Sequence, residues 1–284
     1  MKKLIALLCA LLLLGCTFAA AEATVLSAGE FDPNEHEVPP LTAGKYVYIV
    51  LNDGTAEIVN YKGDVAELTV PKKLGGIAVT SISCSAFNYN TNLTSVTIPE
   101  GVTFIGNDAF YGCRNLTTVN LPSTLVTLGE DAFNGCSALV NITLPEGLTT
   151  IGESAFEYCS ALTTIVFPES LTFIGKEAFY NCDLLANFAI PANVTAIDEY
   201  AFYSCDALTD IVLPDTLTSI GTNAFDGCYD LILTVNYGTA AEQYVLDDNV
   251  QFVYTSIEPW ACPECTTMNN TEYCTECGAE VPAA

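Results

Sequence analysis

Basic side chains and histidine are nearly absent from this chain. Its 284 residues contain 8 lysines and arginines against 34 acidic residues, and the single histidine is His36. No lysine or arginine follows Lys176. Because nucleic acids and anionic membranes are bound largely through lysine and arginine, a formal charge of -26 makes both poor partners. The excess of acidic residues is equally consistent with recognition of a specific ligand and with a simple role in keeping an exported protein soluble.

The residue patterns of known catalytic sites are also missing. There is no second histidine, no nucleophile elbow, no phosphate-binding G-x-x-x-x-G-K-[ST] and no H-E-x-x-H. Carboxylates such as Asp108, Asp131, Glu153 and Glu177 stand at positions that a solvated face would use. We therefore predict that the protein is not an enzyme, and a glycosidase pair among these carboxylates is the alternative.

Long apolar runs are absent except at the N-terminus. Two lysines precede an apolar run over residues 4–14, and alanines follow at 19–21. This order is typical of a secretory signal peptide, here residues 1–21, and the run is too short to span a bilayer as a helix. Cleavage after the alanines competes with lipidation of Cys16, whose Leu-Leu-Gly-Cys context resembles a bacterial lipobox. Either route predicts an exported protein that is secreted or held at the cell surface.

What the sequence does contain is a 23-residue repeat. Residues 93–115, LTSVTIPEGVTFIGNDAFYGCRN, show the pattern, and six successive units keep leucine, proline, alanine-phenylalanine and cysteine in phase. The phenylalanines are Phe110, Phe133, Phe156, Phe179, Phe202 and Phe225, and the cysteines are Cys113, Cys136, Cys159, Cys182, Cys205 and Cys228. A fixed period of about 20 to 29 residues around an L-x-x-L-x-L core is typical of a leucine-rich-repeat solenoid.

The repeat also resembles a known family. The strings L-x-x-[VI]-x-[LI]-P, then [LV]-T-x-[IL]-G, then A-F-x-x-C are similar to the BspA-type leucine-rich repeats of bacterial surface proteins. The resemblance covers roughly residues 45–257. It implies an exported adhesion or interaction module whose partners are extracellular-matrix proteins or other cell surfaces.

Within one unit, the alternation of side chains assigns an inner and an outer face. Leu93, Val96 and Ile98 are expected to point inward, whereas Ser95 and Thr97 point outward. Stacking of identical units about 4.8 Å apart turns each inward position into a continuous column. The predicted fold class is a leucine-rich-repeat solenoid, β-rich with short strands and short helical turns, followed by a small zinc ribbon.

Segments without the repeat flank it on both sides. Alternating residues around a turn at 52–54 predict a hairpin that caps the first coil, because a terminal repeat cannot leave its apolar edge in water. The predicted order is a signal peptide (1–21), a flexible spacer (22–44), an N-terminal β-hairpin cap (45–67), the repeats (68–237), a C-terminal cap (238–257) and a zinc ribbon (258–284).

Two sets of outward residues are candidate binding surfaces. The first is a smooth strand face of small, mostly polar side chains: Ser95, Thr97, Thr118, Asn120, Asn141, Thr143, Thr164, Val166, Asn187, Ala189, Asp210 and Val212. The second is an aromatic set: Phe104, Phe173, Tyr111, Tyr180 and Tyr203. A smooth face admits an extended peptide or glycan, and tyrosine is favoured at interfaces. The alternative for the tyrosines is that they only cover the ends of the hydrophobic columns.

The six in-phase cysteines allow three interpretations. They could fill a core column as small apolar thiols, pair as disulfides, or hold a metal. Parallel, stacked Cβ vectors make the disulfide torsion awkward, and neither histidine nor carboxylate is in register with the column. Core filling is therefore the prediction, with Cys84 out of phase and a separate case.

The C-terminal residues form a separate motif. Cys262, Cys265, Cys274 and Cys277 have the spacing C-x2-C-x8-C-x2-C, which can bring four thiolates to one tetrahedral Zn²⁺. With Trp260 before the first cysteine, the motif resembles short zinc-ribbon modules. Four ligands close the coordination shell, so a structural Zn²⁺ is expected. Disulfide pairing of the same four cysteines is the alternative in an exported chain.

These observations favour an exported, non-enzymatic binding or adhesion module that presents its repeat surface to an extracellular protein or glycan. The first alternative is a cell-envelope scaffold protein that docks a partner through its zinc ribbon. The second is an accessory module of a polysaccharide hydrolase. Contact with a membrane is expected only through a lipid on Cys16.

Overall fold

The computed structural model describes residues 40–248, 250–255, 260–261 and 268–269. The predicted signal peptide, Cys16 and His36 lie outside this part of the chain, as do the four cysteines of the C-terminal motif. Within the described residues the chain forms a β-solenoid of stacked coils with one helix.

The strands are short because a turn follows almost every one of them. In chain order they are β1 (Leu41–Ala43), β2 (Tyr46–Val50), β3 (Ala56–Tyr61), β4 (Glu67–Thr69), β5 (Lys73–Leu74), β6 (Ile77–Ile82), β7 (Ser95–Thr97), β8 (Phe104–Ile105), β9 (Thr118–Asn120), β10 (Thr127–Leu128), β11 (Asn141–Thr143), β12 (Thr150–Ile151), β13 (Thr164–Val166), β14 (Phe173–Ile174), β15 (Ala196–Ile197), β16 (Asp210–Val212), β17 (Ser219–Ile220), β18 (Ile232–Val235), β19 (Phe252–Tyr254), β20 (Trp260–Ala261) and β21 (Met268–Asn269), with helix α1 (Ala240–Asp247) between β18 and β19.

The first strands of all coils but one form parallel ladders. Strands β4, β7, β9, β11 and β13 lie side by side in that order. Equivalent repeat positions are opposite each other, as for Val96 with Val119 and Ile142 with Ile165. Strands β16, β18 and β19 form a further parallel group at the C-terminal end. This register places the buried middle residue of each strand in one column.

The second strand of each coil forms another parallel ladder on a different side. Its order is β3, β6, β8 and β10, and then β12, β14, β15 and β17 as a separate sheet. Ile105 lies opposite Ile82 and Leu128, so the same inward position again stacks from coil to coil. The residue before it points outward, as strand alternation requires.

A tight turn forms the third side of each coil. Two residues in each turn have positive φ, for example Asp108 at 55° and Gly112 at 67°. Residues other than glycine rarely adopt this conformation, and here hydrogen bonds between coils stabilise it. The Phe110 N–H donates to the carbonyl oxygen of Ala132 at 2.8 Å, and equivalent bonds recur along the array. This turn ladder has a direction, because its N–H groups all donate toward the C-terminal end.

The phenylalanines form a continuous stack through the middle of the solenoid. Seven rings from Phe87 to Phe225 are buried, with neighbouring centroids 5.0–5.6 Å apart and planes within 4–10° of parallel. Tyr61 packs on the first ring at 5.4 Å and Tyr244 on the last at 6.2 Å. The stack therefore ends in a tyrosine on both sides.

The in-phase cysteines are six free, buried thiols, which confirms that they fill the core. Each thiol donates to the carbonyl oxygen of the phenylalanine in the preceding coil, as Cys113 does to Phe87 at 3.2 Å and Cys136 to Phe110 at 3.3 Å. Burial raises the pKa of the Cys113 thiol to about 12. Since thiolates are the reactive form, burial keeps the Cys113 thiol unreactive at neutral pH.

The N-terminal end is closed by an antiparallel meander of β1, β2 and β3, whose last strand pairs in parallel with β6. Strand β1 lies inside the predicted spacer, so that prediction was wrong for Leu41–Ala43. A two-residue turn with Gly44 at φ 63° reverses the chain and pairs β1 with β2. A strand of three residues is too short to show a period in the sequence.

The C-terminal end is closed by α1 and β19. Thr239 caps the helix by accepting a hydrogen bond from the Glu242 N–H at 3.2 Å. The helix buries Ala241, Tyr244 and Val245 against the last coils. It therefore covers apolar surface that the next coil would otherwise bury.

One predicted strand is not formed. Residues 187–189, which include the candidate face residues Asn187 and Ala189, pair with neither neighbouring coil. The first ladder consequently stops at β13 and resumes at β16.

Candidate binding surfaces

Strands β7, β9, β11 and β13 present a regular outer face. On β9, β11 and β13 the two outer residues are exposed and the middle one is buried, and on β7 the outer residues are half-buried. Asn120 Nδ2 donates to Thr97 Oγ1 at 3.1 Å, so the face is linked between coils. The predicted residues brought together here are Ser95, Thr97, Thr118, Asn120, Asn141, Thr143 and Thr164. They offer rows of hydroxyl and amide groups to a ligand.

The same face becomes apolar toward the C-terminal end. The position held by Thr143 in β11 is taken by Val166, Ala189 and Val212 in the next three coils. Val166 is 56% exposed and Val212 is 60% exposed. The strand face thus has a polar part and an apolar part.

A groove lies between the missing strand and β16. Its volume is about 380 Å³, and its lining is mainly apolar. The lining includes Phe188, Ala189, Ile190, Asp210, Val212 and Pro214. Asp210 contributes a carboxylate at an exposed position.

Phe188 explains the interruption of the ladder. The equivalent position holds Val96 in β7 and Ile211 in β16, so a much larger side chain occupies this column in one coil only. The Phe188 ring packs against Phe167 at 5.1 Å and 90°, and against Phe202 at 5.1 Å and 30°. Because a close-packed core cannot absorb extra volume without a backbone shift, the coil gives up its strand pairing.

The side chain of Asn187 takes over part of the lost pairing. Its Oδ1 accepts hydrogen bonds from the backbone N–H groups of Thr209 at 2.8 Å and Asp210 at 3.1 Å. Its Nδ2 donates to Thr209 Oγ1 at 2.7 Å. A side-chain amide therefore holds the edge of β16, and Asn187 is committed to structure.

The tyrosines form two groups on the turn side. Tyr111 packs on Tyr89 at 5.3 Å, whereas Tyr180 stacks on Tyr203 at 4.8 Å with planes 8° apart. Tyr158, 48% exposed, joins the second group at 5.9 Å from Tyr180. The structure therefore does not bring Tyr111 and Tyr180 together.

Sequence reasoning missed the second-group members Tyr158 and Tyr200, the latter 5.7 Å from Tyr203. Tyr158 stands one position after the column of residues that directly follow the repeated phenylalanines, and Tyr200 stands three positions before it. The two phenylalanines of the predicted aromatic set are also apart, since Thr127 and Thr150 occupy the coils between Phe104 and Phe173.

Acidic side chains dominate the turn side. Burial, reinforced by Asp131 and Glu130, raises the pKa of Asp108. Burial likewise raises the pKa of Asp131, with a contribution from Glu177. Lys176 lies 3.7 Å from Glu177 and 3.8 Å from Glu153. This surface favours cationic groups on a ligand.

The described residues contain no group of three or more histidine, cysteine, aspartate or glutamate side chains that could hold a metal ion. The predicted zinc ligands Cys262, Cys265, Cys274 and Cys277 lie outside the described residues. In the described part of the chain, no helix has both the length and the apolar character needed to cross a membrane.

Solved structures of other repeat proteins share this fold. A leucine-rich-repeat protein of T. pallidum is 29% identical with a TM-score of 0.66, and the match covers 75% of this chain and 97% of that one. A leucine-rich cell surface protein of Faecalibacterium prausnitzii is 38% identical with a TM-score of 0.65, covering 70% of this chain and 55% of that one. A leucine-rich-repeat protein of Bacteroides ovatus, 23% identical with a TM-score of 0.50, covers 76% and 67% and supports the fold alone.

No curated protein matches the chain. The BspA-type leucine-rich-repeat region, in six copies, matches residues 80–208 and 172–251. These residues make up more than half of the 284-residue chain and coincide with the stacked coils described above. The chain therefore belongs to the BspA-type leucine-rich-repeat family.

Proposed function

We propose that the chain is an exported, non-enzymatic binding module that attaches to proteins or glycans outside the cell. The observation that carries this proposal is the strand face, where outward side chains repeat at fixed spacing along a rigid core. Solenoids use such extended faces to bind partners. The F. prausnitzii relative is a cell surface protein, which supports the location.

The polar part of the strand face favours ligands with many hydrogen-bonding groups. Thr143 and Asn141 are exposed on β11, between equivalent pairs on β9 and β13. The tyrosine group of Tyr158, Tyr180 and Tyr203 offers a second contact area, and tyrosine is enriched at binding interfaces. The net charge of -26 favours basic partners over acidic ones.

A panel of immobilised extracellular-matrix proteins and glycans tests the proposal, with the purified exported chain as analyte. We expect at least one member to bind. Thr143→Arg should then weaken binding by tenfold or more, roughly the effect of blocking a central contact. Thr150→Arg is the matched control, since Thr150 is exposed on the second ladder of the same coil. Absence of binding to every member, with co-purification of a cell-envelope complex, would contradict adhesion.

We also propose that Cys262, Cys265, Cys274 and Cys277 hold a structural Zn²⁺, which would give the chain a second docking module. The antiparallel pairing of β20 with β21 supports this, because it places Trp260 opposite Asn269 and Ala261 opposite Met268. Paired C-x2-C segments at hairpins are typical of zinc ribbons. Such a module is what the alternative role as an envelope scaffold needs.

Native mass spectrometry tests the zinc proposal. We expect one Zn²⁺ per chain, lost when Cys262 and Cys265 are both replaced by serine. Cys159→Ser is the control, because Cys159 is a buried, free thiol of the core column. Four sulfurs linked as disulfides, with no metal bound, would refute the proposal.

A further inference from the structure

The groove beside β16 differs from the rest of the strand face in three ways. The missing strand at residues 187–189 leaves β13 and β16 as the outermost strands of their sheets on the sides that face each other. Its lining includes the exposed apolar side chain of Val212, which is 60% accessible, and Val166 at the equivalent position two coils earlier is 56% accessible. The lining is also mainly apolar across a volume of about 380 Å³.

The backbone at this place has hydrogen-bonding capacity to spare. Among the described residues, no backbone hydrogen bond joins residues 187–190 to β16. The N–H of Leu213 donates to Thr234 in β18, so the N–H of Val212 points to the other side, toward the groove. Asn187 Oδ1 accepts from the N–H groups of Thr209 and Asp210 but not from that of Val212. An extended chain could thus pair with the open edge of β16.

The negative charge around the groove determines which charge is favoured on a chain that binds there. Asp210 lines the groove, and Asp215 follows the lining residue Pro214. No lysine or arginine occurs after Lys176, so no positive side chain of this segment offsets these carboxylates. A basic peptide is attracted to this region, and an acidic one is repelled.

We propose that this groove binds an extended, basic peptide segment of a partner protein, which pairs with the edge of β16 and inserts one apolar side chain beside Phe188 and Val212. The inference rests on the proposed binding function and names a site and a ligand class for it. Main-chain pairing supplies affinity, and the apolar groove supplies selectivity for the inserted side chain.

A fluorescent nine-residue peptide of threonine and lysine with a central leucine serves as the probe, and anisotropy with the full exported chain measures its binding. Replacing the central leucine by serine should weaken binding about tenfold or more, because its apolar surface would no longer be buried. Replacing the lysines by glutamates should abolish it. Raising the salt concentration should weaken it as well.

Variants of the protein locate the site. Val212→Asn should weaken binding of the leucine peptide about five- to tenfold, roughly the loss of one apolar contact. Asn120→Val, the reverse exchange at the equivalent position of β9, should leave it unchanged. Phe188→Val introduces the residue found at this position in β7 and β9, should restore the strand and close the groove, and should therefore abolish binding. Circular dichroism checks that each variant is folded.

Three results would overturn the proposal: no binding of the leucine peptide, equal binding by wild type, Val212→Asn and Phe188→Val, or equal binding of the leucine and serine peptides. If matrix proteins or glycans still bind the chain in any of these cases, only the groove assignment fails. If neither the peptides nor any member of the panel binds, the proposed binding function fails with it.

Discussion

In the turn ladder, a backbone N–H caps the first coil at the N-terminal end of the array, whereas side-chain oxygens cap the last coil at the C-terminal end. The carbonyl of Ala86 accepts a hydrogen bond from the N–H of Tyr61 in β3 at 3.0 Å. The N–H of Phe225 donates to the Tyr244 hydroxyl at 3.1 Å, and that of Asn223 donates to Asp248 Oδ2 at 3.2 Å.

The direction of the turn ladder explains the difference. Its N–H groups donate toward the C-terminal end, so the first coil is left with unpaired carbonyls and the last coil with unpaired N–H groups. Buried backbone groups of either kind must find a partner. At the N-terminal end strand β3 supplies a donor, the N–H of Tyr61. At the C-terminal end the acceptors are the Tyr244 hydroxyl and the Asp248 carboxylate. Each cap therefore supplies the hydrogen-bonding groups, donors or acceptors, that its end of the directional turn ladder requires.

The packed core between the caps is expected to give the largest loss of stability, and the effects at both ends are compared with it. Phe156→Ala in the middle of the ring stack should lower the free energy of unfolding by about 3 to 5 kcal/mol, because it leaves a cavity between Phe133 and Phe179. Urea denaturation measures the change. Tyr158→Ala, two residues away and exposed, should cost far less. A loss below about 1 kcal/mol for Phe156→Ala would mean that the stack does not support the array.

The N-terminal cap contains a buried carboxyl group that the C-terminal cap lacks. Glu57 on β3 is 2% exposed, and burial raises its pKa from 4.5 to about 7. The Ser83 hydroxyl beside Glu57 lowers this pKa only in part. That hydroxyl is itself buried and makes no hydrogen bond of good geometry among the described residues. The N-terminal end should therefore weaken as the pH rises.

The sign follows from proton binding. Between pH 4.5 and 7 the folded chain keeps the Glu57 proton and the unfolded chain has lost it, so stability falls with increasing pH. At pH 8 Glu57→Gln should be more stable than wild type by up to about 3 kcal/mol, and at pH 4 the two should be alike. Denaturation at both pH values measures the difference. If the stability difference between Glu57→Gln and wild type were the same at both pH values, the Glu57 carboxyl group would be in contact with solvent rather than buried.

The C-terminal cap depends on one hydroxyl. Tyr244→Phe keeps the ring on Phe225 but removes the acceptor of a buried N–H, so it should cost about 1 to 3 kcal/mol. Tyr254→Phe is the control, because its hydroxyl bonds Glu242 at an exposed site. Amide exchange at Phe225 should accelerate only in Tyr244→Phe. Equal stability of the two variants would show that water replaces the hydroxyl.

The smallest effect is expected at the start of the capping helix. Thr239→Ala removes the acceptor for the Glu242 N–H and should cost about 1 kcal/mol. Thr239→Ser retains the hydroxyl and should restore most of the stability. If both variants matched wild type in thermal unfolding, the helix would not help to hold the C-terminal end.

Much of the fold was predictable because its signals are local and periodic. The columns of Phe110 and Cys113 and the alternation of Ser95, Val96 and Thr97 follow from spacing alone, and the structure confirms the solenoid and the free thiols. The grouping of the tyrosines was not predictable, because a one-residue offset such as that of Tyr158 still places rings in contact across coils.

The sequence by itself determined the repeat, its register and the identity of the buried columns, because a 23-residue period forces equal positions to stack. Only the tertiary structure decided where the ladder breaks. Phe188 is a larger, aromatic side chain at the position that Val96 holds in β7, and whether a core absorbs that volume or moves its backbone depends on the packing of Phe167 and Phe202 around it. The direction of the turn ladder is likewise a property of the hydrogen bonds between stacked coils, and it decides which groups the caps must supply.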